Sequence, residues 1–211
     1  IHHMDLVRTW QDKSIADFGL HGGGRYNAFI SWPFQPDNSP LGLVPEWTSS
    51  ESETFPGDIV AKLDGSGVKT GHTEFGRRLR LVGSSSYLRT QALSRLFLDN
   101  IYSIGSSWVT MGPSIGQTAL FYGANDLGSV MLEENVVSAA GTTFCLDEAK
   151  LCHMIREAGF VPAKRDNQYD LLKIHSGDTS PDKTITDWSV LNNDRLISHT
   201  EDCATVPLTV D

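Results

Sequence analysis

Cysteine, basic charge and long apolar runs are all scarce in this chain, and each shortage closes off a class of protein. Three cysteines occur in 211 residues, Cys145, Cys152 and Cys203, with no Cys-x-x-Cys pair among them. That number and spacing argue against a disulfide framework or a close-spaced metal site, and predict reduced, half-buried thiols in a cytoplasmic protein. The seven histidines form no His-x3-His grouping, so no metal site is expected from them. Seventeen lysines and arginines stand against 26 acidic residues, a net charge of −9. This balance speaks against a nucleic-acid or anionic-membrane partner. No apolar run approaches the ~20 residues that cross a bilayer, and no secretory leader is recognisable.

What is present describes a globular α/β chain. Hydrophobic residues make up 39% of it, enough for a real core at this length. Residues 1–17 read as a helix, with Met4, Val7 and Trp10 at helical spacing and no capping residue in front. The sequence therefore reads as starting inside an element of a longer protein. "GLHGGGR" (19–25) is turn material; it precedes a strand instead of opening a helix, which argues against a phosphate cradle. "YNAFISWPF" (26–34) alternates like a strand buried on both faces and ends at Pro33 and Pro36. Residues 45–86 lack any period and form an irregular insertion.

A helix follows over 86–101, with Ser86 as its cap and Leu88, Ala92, Leu96 and Phe97 on one face. "SSWVTM" (106–111) predicts a strand, and 112–124 a helix opened by Pro113 and closed at Gly123. "LGSVML" (127–132) predicts another strand, followed by a short helix over 133–141. Residues 146–159 form a helix with Leu151, Cys152, Ile155 and Ala158 in one stripe and Gly159 as its stop. A polar, unstructured tail is expected over 176–211. Strand and helix alternating at this spacing mean parallel strands with right-handed crossovers. About three such units are too few for a barrel of ~250 residues. The expected fold is a partial TIM-type (β/α) barrel, its last three βα units, over residues 1–175.

Candidate site residues follow from that frame, because a barrel mounts its chemistry at the C-terminal ends of its strands. Glu133 and Glu134 close the 127–132 strand and are the catalytic candidates, as hydrogen-bonding or proton-accepting carboxylates; Asn135 follows as a binding amide. The plainer alternative is acids complementing a helix dipole. Gln35 offers a neutral amide, and Trp32 and Phe34 offer rings to pack on a substrate; the alternative is barrel-filling aromatics. Thr110 and Met111 end the 106–111 strand, with Thr110 and Trp108 on one side by parity. Gln117, one turn into the next helix, is a further candidate at the mouth, with a merely solvated residue as the plainer alternative.

"FISWPFQPDNSPLG", "YLRTQALSRLFLDNI", "SSWVTMGPSIGQTALFYGANDLGSVMLEENVVSAAG" and "IREAGFVPAKRDNQYDLL" occur in this order. Together they resemble the C-terminal half of radical S-adenosylmethionine enzymes of the futalosine route to menaquinone, in particular the branch of cyclic dehypoxanthine futalosine synthase. Aminofutalosine synthase and the tyrosine-coupling subunit of deazaflavin-cofactor synthesis have similar second halves. The resemblance implies a barrel, a 4Fe-4S cluster held by Cys-x3-Cys-x2-Cys, S-adenosylmethionine, and a nucleoside substrate that undergoes ring closure. That cysteine motif is absent from the sequence, so the implied cofactors have no cluster ligands in this chain. The implied partner is an N-terminal half of the barrel, without which this chain is expected to be inactive. The alternative is an orphaned half-barrel that pairs its open sheet edges as a homodimer. Arg165 and Asp166 match the motif and are expected to clamp the last helix.

Overall fold

A computed structural model describes residues 1–20, 22–36, 81–130 and 144–188. Helix α1 (His2–Phe18) forms where the sequence places it, with Met4 buried. Its second buried residue is polar. Gln11 donates through Nε2 to Tyr26 O and Asn100 O and accepts from Tyr26 N, tying α1 to both neighbouring loops. Trp10, next to it, is 58% exposed.

Strand β1 (Ala28–Ile30) pairs in parallel with β2 (Ser103–Gly105), with Phe29 opposite Ile104. A parallel bridge from Gly105 to Asp126 adds a third neighbouring position. Helix α2 (Ser84–Phe97) lies between β1 and β2 in the chain. Met4, Leu98, Ile101 and Ile104 form the core between α1 and these strands, with Val7, Phe29 and Phe97 packed on it. Burying such side chains contributes roughly 1.5–3 kcal/mol each. The described residues thus form a mixed helix–strand fold whose sheet does not close into a barrel. Among them no helix is long and apolar enough to cross a membrane.

Several expectations are corrected. The expected 26–34 strand shortens to β1 and is not covered on both faces: Ile30 in β1 is 41% exposed, and Trp32 and Phe34 beyond it are 69% and 38% exposed. Helix α2 turns a different face inward, burying Tyr87, Gln91 and Ser94 while Leu96 is exposed. The inward face must satisfy backbone groups at the end of β2, which apolar residues cannot do. The largest correction concerns 106–111. The strand lies three residues earlier, in Ser103–Gly105, and Trp108–Met111 is a helical turn, α3. Small residues hid the strand, and aromatic and β-branched neighbours imitated one.

Gly112 has φ +84 and leads into α4 (Pro113–Thr118), then a 3₁₀ turn over Ala119–Tyr122 that ends at left-handed Gly123. Pro113 and Gly123 mark these ends as expected. The 127–132 strand reduces to the bridge at Asp126 in the described part, and Leu127 turns into the core. Trp108, Val109, Leu127, Leu146, Leu151 and Met154 make the second core cluster. Helix α5 (Glu148–Glu157) is capped by Asp147, whose carboxylate accepts from Lys150 N at 2.8 Å.

The hairpin of β3 (Ala163–Arg165) and β4 (Leu171–Ile174) was not foreseen. Its turn is closed by Asp166, which accepts from Gln168 N and Asp170 N. Within the expected tail, Pro181–Thr184 form a 3₁₀ turn packed on α5. Cys152 is the free, buried thiol expected, and burial pushes it up. Cys145 is disulfide-bonded, contrary to the expectation of a reduced thiol.

Candidate functional site

The two strands and the Asp126 bridge run in one direction, so their C-terminal ends lie at one edge of the sheet. Three segments leave from that edge: 31–36 after β1, 106–111 after β2, and 127–130 after the bridge. Trp32 and Phe34 expose their rings there. Gln35 is half-buried and donates to Pro33 O at 3.3 Å. Thr110 and Met111 are half-buried on α3, and Met111 packs against Tyr87, Ala119 and Ala124. Glu133, Glu134 and Asn135 lie outside the described residues.

The segment after β2 is held from several directions. Tyr87, 1% exposed, accepts from Ser107 N at 2.7 Å. Burial pushes its phenol up against the opposing hydrogen bonds of Ser107 and Ser106, so the ring stays neutral. Gln91 donates to Gly105 O at 3.3 Å. Ser106 Oγ donates to Gly116 O at 3.0 Å. Trp108, 1% exposed, donates through Nε1 to Leu127 O at 2.7 Å. Trp108 is therefore sealed between α3, α5 and the bridge, and shares no strand face with Thr110.

Thr110 meets a partner that the strand reading concealed. Its Oγ1 lies 2.5 Å from Ser107 Oγ, and it also donates to Ser107 O at 3.3 Å. An i,i+3 pair comes together on a helical turn and is separated on a strand. Ser107 and Tyr87 were missed for that reason; the serine pair before "WVTM" was the available signal. Gln117 is not merely solvated: it donates to Met154 O at 2.9 Å and joins α4 to α5.

Charged groups elsewhere fasten the elements together. Arg165 grips Asp126 with two guanidinium nitrogens and lies 3.9 Å over the Tyr169 ring. It clamps the hairpin to the bridge position, not to the last helix as expected; Asp166 serves the hairpin turn. On α5, Arg156 donates to both Asp182 carboxylate oxygens, Ser180 Oγ and His175 O. That guanidinium holds the buried Asp182 carboxyl well below the usual carboxylate range. Glu148 takes Lys164 at 2.8 Å, which lowers its carboxyl, and has His175 Nε2 at 3.2 Å. Among the described residues no group of three or more His, Cys, Asp or Glu is placed to hold a metal ion.

Residues 69–177 match the protein family described as the CofH/MqnC C-terminal region. The chain is 37% identical over 171 residues to a cyclic dehypoxanthine futalosine synthase of Halalkalibacterium halodurans, an alignment covering 81% of this chain and 34% of that protein. A Streptomyces coelicolor protein of the same name is 34% identical over 175 residues, covering 83% of this chain and 33% of its own. An aminodeoxyfutalosine synthase of Thermus thermophilus is 27% identical over 176 residues, covering 82% of this chain and 37% of its own. The chain thus spans about a third of the length of these relatives.

Proposed function

Because the chain belongs to the CofH/MqnC C-terminal region family, we propose that it forms the substrate-holding last part of a radical S-adenosylmethionine enzyme that cyclises dehypoxanthine futalosine. It supplies the last three βα positions of a TIM-type barrel, whose remaining strands continue from the side of β1 that no described strand pairs. The observation that carries this reading is the parallel order β1, β2, Asp126, in a chain similar over most of its length to two enzymes of that name. In such an order reactive groups gather where the strands end.

At that edge Trp32 and Phe34 offer rings to a planar substrate group, Gln35 an uncharged amide, and Thr110 a hydroxyl. Met111 packs on Tyr87, Ala119 and Ala124 beneath that edge. Glu133, Glu134 and Asn135, which follow the third position in the chain and lie outside the described residues, are proposed to supply two carboxylates and an amide to the substrate. One of the two glutamates is proposed to accept a proton or hydroxyl from the substrate.

An iron–sulfur cluster and S-adenosylmethionine belong to the family's chemistry, but the residues here do not fit a cluster. The Cys-x3-Cys-x2-Cys motif is missing, Cys152 is 4% exposed inside α5, and Cys145 is disulfide-bonded. The part assigned to this chain is therefore binding and orientation of the nucleoside. The experiment is anaerobic incubation of the full-length protein with dehypoxanthine futalosine, S-adenosylmethionine and a reductant, with products read by mass spectrometry. Cyclised dehypoxanthine futalosine is expected. Turnover of the aminodeoxyfutalosine synthase reaction in its place, or no turnover of either, overturns the assignment.

A further inference from the structure

We infer that Thr110 is a specificity residue that recognises a substrate hydroxyl as a hydrogen-bond acceptor, with Ser107 and Tyr87 as its positioning residues. The inference rests on the proposed substrate-holding role of this edge and names the group read there.

The argument is a proton count. A hydroxyl has one proton to donate and two lone pairs. Thr110 Oγ1 donates to Ser107 O at 3.3 Å, a carbonyl that also accepts from Met111 N at 3.0 Å. The 2.5 Å contact between the two hydroxyls admits either direction, and with Ser107 Oγ donating to Thr110 Oγ1 both protons find an acceptor. The opposite assignment leaves the Ser107 proton without an acceptor. Ser107 is 2% exposed and its hydroxyl makes no other hydrogen bond among the described residues, so that orphan would be costly.

Among the described residues one lone pair on Thr110 Oγ1 then has no donor, on a residue only half-buried at the edge of the sheet. A lone pair selects a donor: a sugar hydroxyl satisfies it, and a ketone, ether or carboxylate oxygen does not. Tyr87 fixes the arrangement from behind. Its phenol oxygen takes the Ser107 N–H at 2.7 Å and sets the turn on which both hydroxyls stand.

The test is calorimetric titration of the full-length protein with dehypoxanthine futalosine and with its monodeoxy analogues. One hydroxyl deletion is expected to weaken wild-type binding about tenfold, the size of one neutral hydrogen bond. In Thr110→Val the same deletion changes nothing, and Thr110→Ser restores the discrimination. Tyr87→Phe keeps the ring volume and reduces the discrimination. Asp182→Asn, on the far clasp of α5, lowers stability and leaves the discrimination intact, which separates positioning from general loosening. If dehypoxanthine futalosine binds but Thr110→Val discriminates the analogues as the wild type does, the inference is overturned and the proposed function stands. If wild type shows no binding, the proposed function fails and the inference with it.

Discussion

Replacing Gly116 by alanine sets two opposed effects against each other. Gly116 sits inside α4, where alanine favours the helix by about 1 kcal/mol. An added Cβ, however, would stand 2.4 Å from Trp108 Cβ and 3.0 Å from Trp108 Cα. Neither atom is the free end of a flexible side chain, so α3 or α4 must move. Overpacking of this kind costs about 1–3 kcal/mol. The movement also strains the bonds from Trp108 Nε1 to Leu127 O and from Ser106 Oγ to Gly116 O. Leaving such buried groups unpaired adds about 1–3 kcal/mol. The net expectation is destabilisation by roughly 1–5 kcal/mol, read as a lower denaturant midpoint at an unchanged m-value. A Gly116→Ala protein as stable as wild type, or more so, would refute the packing of the 108–111 turn on α4. It would instead agree with the strand that the sequence predicts there.

Other perturbations probe separate parts of the account. Asp182→Asn removes the charged partner of Arg156 and lowers stability at neutral pH. The wild-type carboxyl titrates below its unfolded value, so its contribution is full above the ordinary aspartate range and drains away as pH falls beneath it. Wild type and variant should therefore converge in acid denaturation, and a gap that persists undiminished into strong acid contradicts the pairing. This chain, reconstituted anaerobically with iron and sulfide, should gain no cluster absorption in the visible; a stable brown species would contradict the account of its cysteines. Glu133→Gln and Glu134→Gln in the full-length protein should differ, one of them weakening dehypoxanthine futalosine binding or turnover about tenfold or more. Two silent variants would remove the carboxylates from the site.

How far the sequence disclosed this fold varies by element. Helices α1 and α5 were legible because apolar residues recur at the helical period and Gly159 marks the end of α5. The order of parallel strands was legible too, from the spacing of helix and strand. Strand β2 was not, because Ile104 is its single strand-favouring residue between Ser103 and Gly105, while Trp108, Val109 and Thr110 carry a strong signal together. Tertiary demands decided: Trp108 needed an acceptor for its indole N–H and found Leu127 O on the next strand position. The buried face of α2 was misplaced for a related reason, since Gln91 and Ser94 bury polar groups that a hydrophobic pattern leaves outside. The hairpin β3–β4 has every β4 residue exposed and so no alternation to detect. Of the candidate site, the location at strand ends was readable from chain order. The Ser107–Thr110 contact was not, because it exists only on a helical turn.

Hydrogen–deuterium exchange of the full-length protein, with and without dehypoxanthine futalosine, tests the central claim most directly. Protection is expected in 31–36, 106–111 and 127–130, the segments that leave the strand ends. Protection confined to α5 and the 163–174 hairpin, with those three segments unchanged, would contradict it.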